Sequence, residues 1–172
     1  MAWTDPIDFT RNQNITAAIM NLYVRDNQND LWTIVVKQTG DITKASSTAF
    51  SNLTGLTFTV VSGEVWQFHV YSFFISNAAA DAKWTVTAPA ASTGRIGLTG
   101  SGAAITVQST TTFGGTLDMV VPGVNADTVM LDGYVVAGAN GSMQVQAAQV
   151  TSDVVVTTFY ANSFLIAQRI SA

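Results

Sequence analysis

The side chains that could carry acid–base or nucleophilic chemistry are few in this sequence. His69 is its only histidine, so a cluster of histidines around a metal is excluded, and a Ser-His-Asp triad would depend on this one residue. It lies in the segment WQFHVYSFF, where aromatic residues surround it. Such a setting favours a strand histidine whose nitrogens are hydrogen-bonded, either at the edge of the core or at a contact between subunits.

The acidic residues do not form a recognisable catalytic pair. Glu64 is the only glutamate and follows a glycine, so we expect it to be part of a turn, and no spacing suggests an aspartate partner for hydrolysis by two carboxylates. The positions of Asp127 and Asp132 differ by an odd number, which would point them to opposite faces of a strand. The segment from Asn125 to Asp127 could offer oxygen ligands to calcium, but no EF-hand run is present. We therefore predict no enzymatic activity, no metal and no cofactor.

Glycines at four positions interrupt the segment 90–103 and predict a loop, with room for a short strand at 95–98. Their order matches neither the dinucleotide-binding nor the P-loop fingerprint, and no Lys followed by Ser or Thr comes after them. The segment therefore predicts no phosphate site.

Composition narrows the range of partners. Charged residues make up 10% of the 172 residues, against roughly 25% in typical soluble domains, which predicts a weakly charged surface that copies or partners cover in part. A net charge of −4 with seven basic residues predicts no nucleic acid partner. The absence of cysteine excludes disulfides and fits synthesis in a cytoplasm. The N-terminus lacks a secretory signal pattern, and polar residues interrupt the apolar stretch from Val65 to Ile75, so we expect no membrane insertion.

One short α-helix is predicted before the strands begin. Thr16 has the character of an N-cap, and Ile15 and Met20 have the spacing of a hydrophobic staple. The helix would continue to about Asp30 and would present a narrow apolar stripe. The stripe consists of Met20, Tyr23, Val24 and Leu31. It is wide enough to dock the helix on one side but not to bury it all round.

From Leu31 onward the pattern is that of β-strands. Segments rich in β-branched and aromatic residues alternate with turn signals every eight to twelve residues or so, and no helical segment separates them. The final quarter, 129–170, ends in the apolar segment SFLIAQRI, which must be tied into a core. The pattern predicts a mainly β protein of about eight to ten antiparallel strands, arranged as a double-sheet sandwich or jelly roll.

The first residues resemble a known module. The stretch TDPIDFTRNQNITAAIMNLYVRDNQNDLWTI is similar to the N-terminal module of tail-fibre and minor tail proteins of tailed phages, with a tryptophan lead-in, a Thr-Ala-Ala helix start and an Arg-Asp-Asn near the helix end. Ile19, Met20 and Gln28 depart from that pattern, which has an acidic residue and leucines there. The matching residues are Trp3, Thr16, Ala17, Ala18, Asn21, Arg25, Asp26 and Asn27.

This resemblance implies that the N-terminal segment attaches the protein to a larger particle. The residues expected to make that attachment are Trp3, Ile15, Met20, Tyr23, Val24, Arg25 and Leu31.

A second resemblance covers roughly 45–170. LTGLTFTVVSGEVWQFHVY, GSMQVQAAQ, the segment 154–160 and NSFLIAQR follow, in this order, the strands of small phage and prophage domains. Those domains are similar in layout to the trimeric jelly rolls of the tumour necrosis factor and complement globular-head type. The resemblance implies a jelly-roll domain that forms a homotrimer.

These observations predict an N-terminal attachment segment over 1–32 and a jelly-roll domain over 33–172. The predicted function is that of a phage virion structural protein, made in the host cytoplasm and placed on the virion surface. It would be a trimeric knob that decorates or cements the capsid or tail through other virion proteins. The alternative is a tail-fibre module that binds a host surface glycan, with Arg95 and Phe113 as contacts.

The subunit interface is predicted on a face rich in glutamine. Along GSMQVQAAQ, Met143 and Val145 alternate with glutamines, so one face of this strand is apolar and the other carries amides. The apolar face would belong to the subunit's own core and the amide face to a neighbour. The predicted interface residues are Gln144, Gln146, Gln149, Phe159 and Tyr160.

Overall fold

A computed structural model describes residues 33–100, 106–121 and 125–171 of the chain, together with Thr16 and Ala17. The rest of the predicted N-terminal helix lies outside the described residues. The division of the chain after residue 32 stays a prediction. Within the described ranges, no helix has the length and apolar character needed to cross a membrane.

Twelve β-strands follow one another in the described residues, and each coincides with a stretch of alternating or β-branched sequence. They are β1 (Thr33–Lys37), β2 (Ile42–Lys44), β3 (Ser51–Val60), β4 (Val65–Ser76), β5 (Ala82–Thr87), β6 (Thr93–Gly100), β7 (Thr106–Thr110), β8 (Leu117–Met119), β9 (Asn125–Val136), β10 (Gly141–Ala148), β11 (Thr157–Phe159) and β12 (Phe164–Ser171).

The strands form two antiparallel sheets. Six strands of the large sheet follow the order β1-β12-β4-β9-β6-β7, with β11 pairing β4 and β2 pairing β11, and the small sheet has the order β3-β10-β5-β8. Without β2, β6, β7 and β11, eight strands remain, and we count them from one to eight in chain order. In the large sheet they lie in the order one-eight-three-six, and in the small sheet in the order two-seven-four-five. This is the order of a jelly roll, so the predicted mainly β, antiparallel jelly-roll sandwich is confirmed.

The strand count exceeds the prediction because short strands and an added hairpin extend the sandwich. The predicted loop at 90–103 is in part a strand, since β6 spans Thr93–Gly100. A Cβ atom on Gly94 would collide with the carbonyl oxygen of Tyr134, and one on Gly100 with the sulfur of Met119. The glycines therefore allow close packing of a strand rather than a turn of the chain.

Alternate side chains of both sheets fill the space between them. Trp84 of the small sheet packs edge-on against Phe74 and Phe159 of the large sheet, with ring centroids 4.8 and 5.7 Å away. All three rings are fully buried. Burial of such a side chain contributes about 1.5–3 kcal/mol relative to exposure, so this cluster holds the two sheets face to face.

The chain enters and leaves the described sandwich at the same end. Thr33, the first residue of β1, pairs with Gln168 of β12, and Ser171 pairs with Val65 at the start of β4. We call this the terminal end. The segment that precedes Thr33 therefore joins the sandwich at the terminal end.

Candidate self-association face

β4 presents alternating side chains to the outside of the large sheet. Gln67, His69, Tyr71 and Phe73 point outward because the residues between them are buried in the core. The register of the neighbouring strands places their outward residues alongside. We call this surface the large-sheet outer face, and its further members are Thr33, Val35, Lys37, Val65, Ile75, Thr93, Arg95, Gly97, Thr99, Val107, Ser109, Thr128, Met130, Asp132, Tyr134, Val136, Phe164, Ile166 and Gln168.

The large-sheet outer face exposes many apolar side chains to water. Val35 and Val107, on its two edge strands, are 65% and 74% exposed, and Tyr134 and Phe73 lie between them and are also exposed. Tyr71 of β4 and Phe164 of β12 stack with ring centroids 4.7 Å apart. Soluble monomers rarely expose contiguous apolar patches beyond a few hundred Å² unless the patch has a partner. On this face the exposed apolar side chains are interspersed with the polar residues Gln67, His69, Arg95 and Asp132.

His69 lies within this face and is paired with Asp132 of β9. Its Nδ1 lies 2.5 Å from Asp132 Oδ1, and its Nε2 lies 2.9 Å from Gln67 Nε2. Both ring nitrogens of the imidazole therefore have a hydrogen-bond partner. The side chains of His69 and Asp132 are 38% and 40% exposed. The prediction of a hydrogen-bonded strand histidine is confirmed.

Asp127 lies on the opposite side of β9 from Asp132, as their spacing predicts, because it is directly across from the buried Phe74. Its Oδ2 is buried without a hydrogen-bond partner, and burial raises the pKa of this carboxyl above its usual value. The two aspartates do not converge on one site. Among the described residues, no group of three His, Cys, Asp or Glu side chains is close enough to hold a metal ion.

The outer face of the small sheet has a different chemistry. It consists mainly of threonines and amides, with Lys83 and Asp118 among them, and none of the exposed large apolar side chains of the described residues lies within its four strands, although Val61 and Val120 directly follow β3 and β8. We call it the small-sheet outer face. Its members are Asn52, Thr54, Thr57, Thr59, Lys83, Thr85, Thr87, Asp118, Ser142, Gln144, Gln146 and Ala148.

Two of the predicted interface glutamines lie on the small-sheet outer face. Gln144 sits where the pairing of β10 with β3 is irregular, and its Nε2 donates to the carbonyl oxygens of Leu53 and Leu56, both at 3.2 Å. Gln146 donates to Asn52 Oδ1 at 2.7 Å. The alternation predicted for β10 is correct, and these amides already have partners within the chain.

Phe159, predicted at the subunit interface, is instead part of the central aromatic cluster and is fully buried. Its assignment to an interface is wrong, because the ring has no surface left for a neighbour. Tyr160, the next residue, is half-buried, and its backbone N–H donates to the carbonyl oxygen of Phe73 at 2.8 Å.

Gln149, also predicted at the interface, is fully buried beneath the loop that joins β10 to β11. Its Nε2 donates to the carbonyl oxygen of Val155 at 2.9 Å and to the hydroxyl of Thr157 at 3.3 Å. Its Oε1 accepts from the N–H groups of Ser47 and Asp153, both at 3.3 Å. The interface assignment is wrong here too, because the amide orders the chain's own loops.

The two predicted glycan contacts do not form one site. Arg95 points outward on β6, where its guanidinium donates to Ser109 Oγ at 3.4 Å. Phe113 packs against the core, and a Cβ atom on Gly94 would lie 3.0 Å from its ring. Successive strand residues point to opposite faces, so Arg95 and Phe113 lie on opposite sides of β6.

Sequence reasoning missed a buried ion pair at the terminal end. Glu64 Oε1 accepts from Arg169 at 2.7 Å, while its Oε2 accepts from Trp66 Nε1 at 2.9 Å and from the Val61 N–H at 2.8 Å. Burial acts to raise the pKa of Glu64, but the bonds from Val61, Trp66 and Arg169 outweigh it and the pKa lies below its usual value. Glu64 is the predicted turn acid. Its partner Arg169 is 105 residues away in sequence and carries no local signal.

The predicted attachment residues lie outside the described residues, so their placement stays a prediction. They are Trp3, Ile15, Met20, Tyr23, Val24, Arg25 and Leu31.

No protein-family model matches the sequence, and no curated protein matches it significantly. Among solved structures, the chain is similar to the VP2 subviral particle of infectious bursal disease virus, with 10% identity over 82% of this chain and 38% of that one, at a TM-score of 0.22. It is similar also to a mutant VP2 protein of the same virus in derived T=1 particles, with 11% identity over 98% and 41% of the two chains, at a TM-score of 0.24. The chain thus spans about two fifths of the length of the structures it matches. At this level the matches add nothing to the fold assigned from the strand order.

Proposed function

We propose that this chain is a virion structural protein whose jelly roll self-associates through the large-sheet outer face. In full, the proposal is a homotrimeric knob that decorates or cements a phage particle and is held there by residues 1–32. The virion assignment draws on the resemblance of the sequence to phage tail proteins. The self-association draws on one observation: five large apolar side chains of the described residues are exposed on the large-sheet outer face, whereas none is exposed on the strands of the small sheet.

The size of the face supports an interface between copies. Six strands at a spacing of roughly 4.8 Å make it about 24 Å wide, and about six residues per strand make it about 20 Å long. A surface of that extent covers about 480 Å² before side-chain relief, somewhat more than half of the 800 Å² or so that each partner contributes to a standard interface. Its aromatic members, Tyr71, Phe73, Tyr134 and Phe164, belong to the residue types enriched at such contacts.

The geometry also supports an anchored arrangement. Residues 1–32 join at the terminal end, and the large-sheet outer face lies along the side of the sandwich. Association through the side leaves the terminal end free to bind a particle. An attachment segment and a self-association face can therefore act at the same time.

The first test is the mass of the purified full chain in solution, measured by sedimentation equilibrium. A trimer is expected, and a stable monomer at micromolar concentration would overturn the self-association proposal. The second test is deletion of residues 1–30. The shortened chain should remain a folded trimer but should no longer join particles, and normal incorporation would remove the anchoring role.

A second candidate, binding of a host surface glycan, is favoured by one observation. Tyr134 is 47% exposed, and the register places Arg95 on one side of it and Gln67 on the other. An exposed ring flanked by hydrogen-bonding groups can stack on a sugar. A glycan array with the full chain and a Tyr134→Ala variant tests this, because a specific signal that the variant loses would favour receptor binding.

A further inference from the structure

We infer that Leu31 and Trp32 extend β1, so that the attachment segment leaves the sandwich as a continuation of the large sheet, beside Ile170. The inference rests on the proposed anchoring role of residues 1–32 and states how that segment is joined to the knob. It starts from the register of the first and last strands of the described sandwich.

β12 is longer than β1 at the terminal end. β1 begins at Thr33, which pairs with Gln168, whereas β12 continues to Ser171. The five pairs between these two strands follow one unbroken antiparallel register. Continued by two residues, this register places Leu31 across from Ile170.

Apolar side chains lie next to that position. Ile170 is 59% exposed and lies at the irregularity in the pairing of β12 with β4, beside Val65. Val65 is across from Val136 of β9, which is 36% exposed. The three residues therefore lie on neighbouring strands, and we call them the terminal cluster. Because removal of apolar surface from water is favourable, an apolar neighbour would stabilise this cluster.

The chain itself supplies the nearest apolar residues. Leu31 and Trp32 directly precede Thr33, and two extended residues span about 7 Å at most. A covalently connected residue reaches the terminal cluster without the loss of translational freedom that a second copy would incur. The alternation of β1 supports the same placement, because it puts Leu31 on the exposed side with Val35 and Trp32 on the inner side with Ile34.

A continuous β1 leaves no linker between the knob and the attachment segment. The helix predicted for that segment ends at about Asp30, directly before Leu31. No glycine or proline occurs between Pro6 and Gly40, so the joint lacks the residues that most readily bend a chain. The knob should therefore keep one direction relative to the segment that anchors it.

The experiment uses two introduced cysteines in the full chain, which has none of its own. Leu31→Cys with Ile170→Cys is oxidised in a glutathione buffer and analysed on a denaturing, non-reducing gel. Residues directly across an antiparallel pair have Cα atoms about 4.5–5.5 Å apart, within the range of about 4.4–6.8 Å that a disulfide bridges. We expect nearly complete closure within the chain.

The matched control is Leu31→Cys with Val136→Cys, which joins the same residue to the far side of the terminal cluster. β9 lies three strand spacings from β1, or about 14 Å, so this pair should not close. Circular dichroism confirms that each variant is folded. Equal closure in the control, or no closure in either variant, would overturn the inference. Disulfides between two chains alone would also overturn it, because they would assign the terminal cluster to a second copy.

A second measurement does not depend on cysteine. Leu31→Ala and Ile170→Ala should change the unfolding equilibrium constant non-additively, by at least about twofold, because residues in contact are coupled. Leu31→Ala with Val107→Ala, on the far edge strand β7, should be additive. Additive effects in both pairs would overturn the inference. Neither measurement involves particles, so failure here leaves the anchoring role to be decided by the deletion of residues 1–30.

Discussion

The two outer faces of the sandwich differ in chemistry although they belong to one fold. The small-sheet outer face carries threonines, glutamines and asparagine, and Gln144 and Gln146 use their amides within the chain. The large-sheet outer face carries exposed aromatic and aliphatic side chains around His69 and Asp132. A face that stays in water needs no apolar side chains, so the proposed self-association would involve the large-sheet outer face and leave the small-sheet outer face in solvent.

An exposed and a buried aromatic residue can also be compared within a single strand. Phe73 and Phe74 are adjacent residues of β4, but Phe74 is fully buried and Phe73 is 36% exposed. Phe74→Ala should lower the free energy of unfolding by about 3–5 kcal/mol, since it opens a cavity beside Trp84. Phe73→Ala should lower it by less than about 1 kcal/mol. Urea denaturation of the two variants checks this, and similar losses would show that the outward side of β4 is part of the core.

Removal of the ion pair at the terminal end tests how much it stabilises the turn that joins the two sheets. Glu64 lies in the connection between β3 of the small sheet and β4 of the large sheet. Glu64→Gln removes the negative charge that faces Arg169 in a largely buried setting, so the free energy of unfolding should fall by about 3 kcal/mol at neutral pH.

Acid should lower the free energy of unfolding of the wild type through the same residue, Glu64. Because the folded protein holds the pKa of Glu64 below its usual value, the stability from this group is present above the unfolded pKa, near 4.5, and is lost as the pH falls through the folded value. Thermal melts of the wild type and Glu64→Gln should therefore converge in strong acid. A constant gap between the melts at all pH values would contradict the assigned role of the carboxylate.

A charge placed on each outer face compares them directly. Ile166→Asp puts a carboxylate beside His69 on the large-sheet outer face and should weaken self-association by at least about 2 kcal/mol, or about thirtyfold. Thr59→Asp puts the same group on the small-sheet outer face and should leave association unchanged. Size-exclusion chromatography with light scattering distinguishes the two. Loss of the assembly in the Thr59 variant alone would reverse the comparison and move the interface to the amide face.

The smallest expected effect contrasts the two aspartates of β9. Asp127 is on the inner side with a raised pKa, so its ionisation opposes folding, and stability is lost as the pH rises through the folded pKa. Asp127→Asn should give a small gain in melting temperature at pH 7 and none in strong acid. An equal gain in strong acid would point to hydrogen bonding of the new amide rather than to removal of the charge.

Much of the fold could be predicted from local sequence pattern, because strand alternation is a property of neighbouring residues. The segment VWQFHVYSFFI indicates β4 through its β-branched and aromatic content. The full length of β6 could not be predicted from local pattern, because Gly94, Gly97 and Gly100 are typical of loops. They are needed here for close approach to Tyr134 and Met119, which are distant in sequence.

The exposure of the large-sheet outer face could not be predicted in the same way. Both sides of β4 are apolar in sequence, so no pattern distinguishes Phe73 from Phe74, whereas β10 alternates clearly and drew the prediction of an amide interface. The buried positions of Gln149 and Phe159 depend on contacts with remote segments, such as Ser47 and Trp84. Such contacts appear only when the sheets are assembled.

The meeting of the first and last described strands at the terminal end has a consequence for engineering. Thr33 lies across from Gln168, so the two ends of the described sandwich are about three residues of strand apart, roughly 10 Å. A short linker could join them, and a new opening could be made between Thr151 and Val156, in the loop that Gln149 holds from beneath. A circular permutant built in this way would keep every strand pairing, so the order of the segments along the polypeptide is separable from the architecture they build.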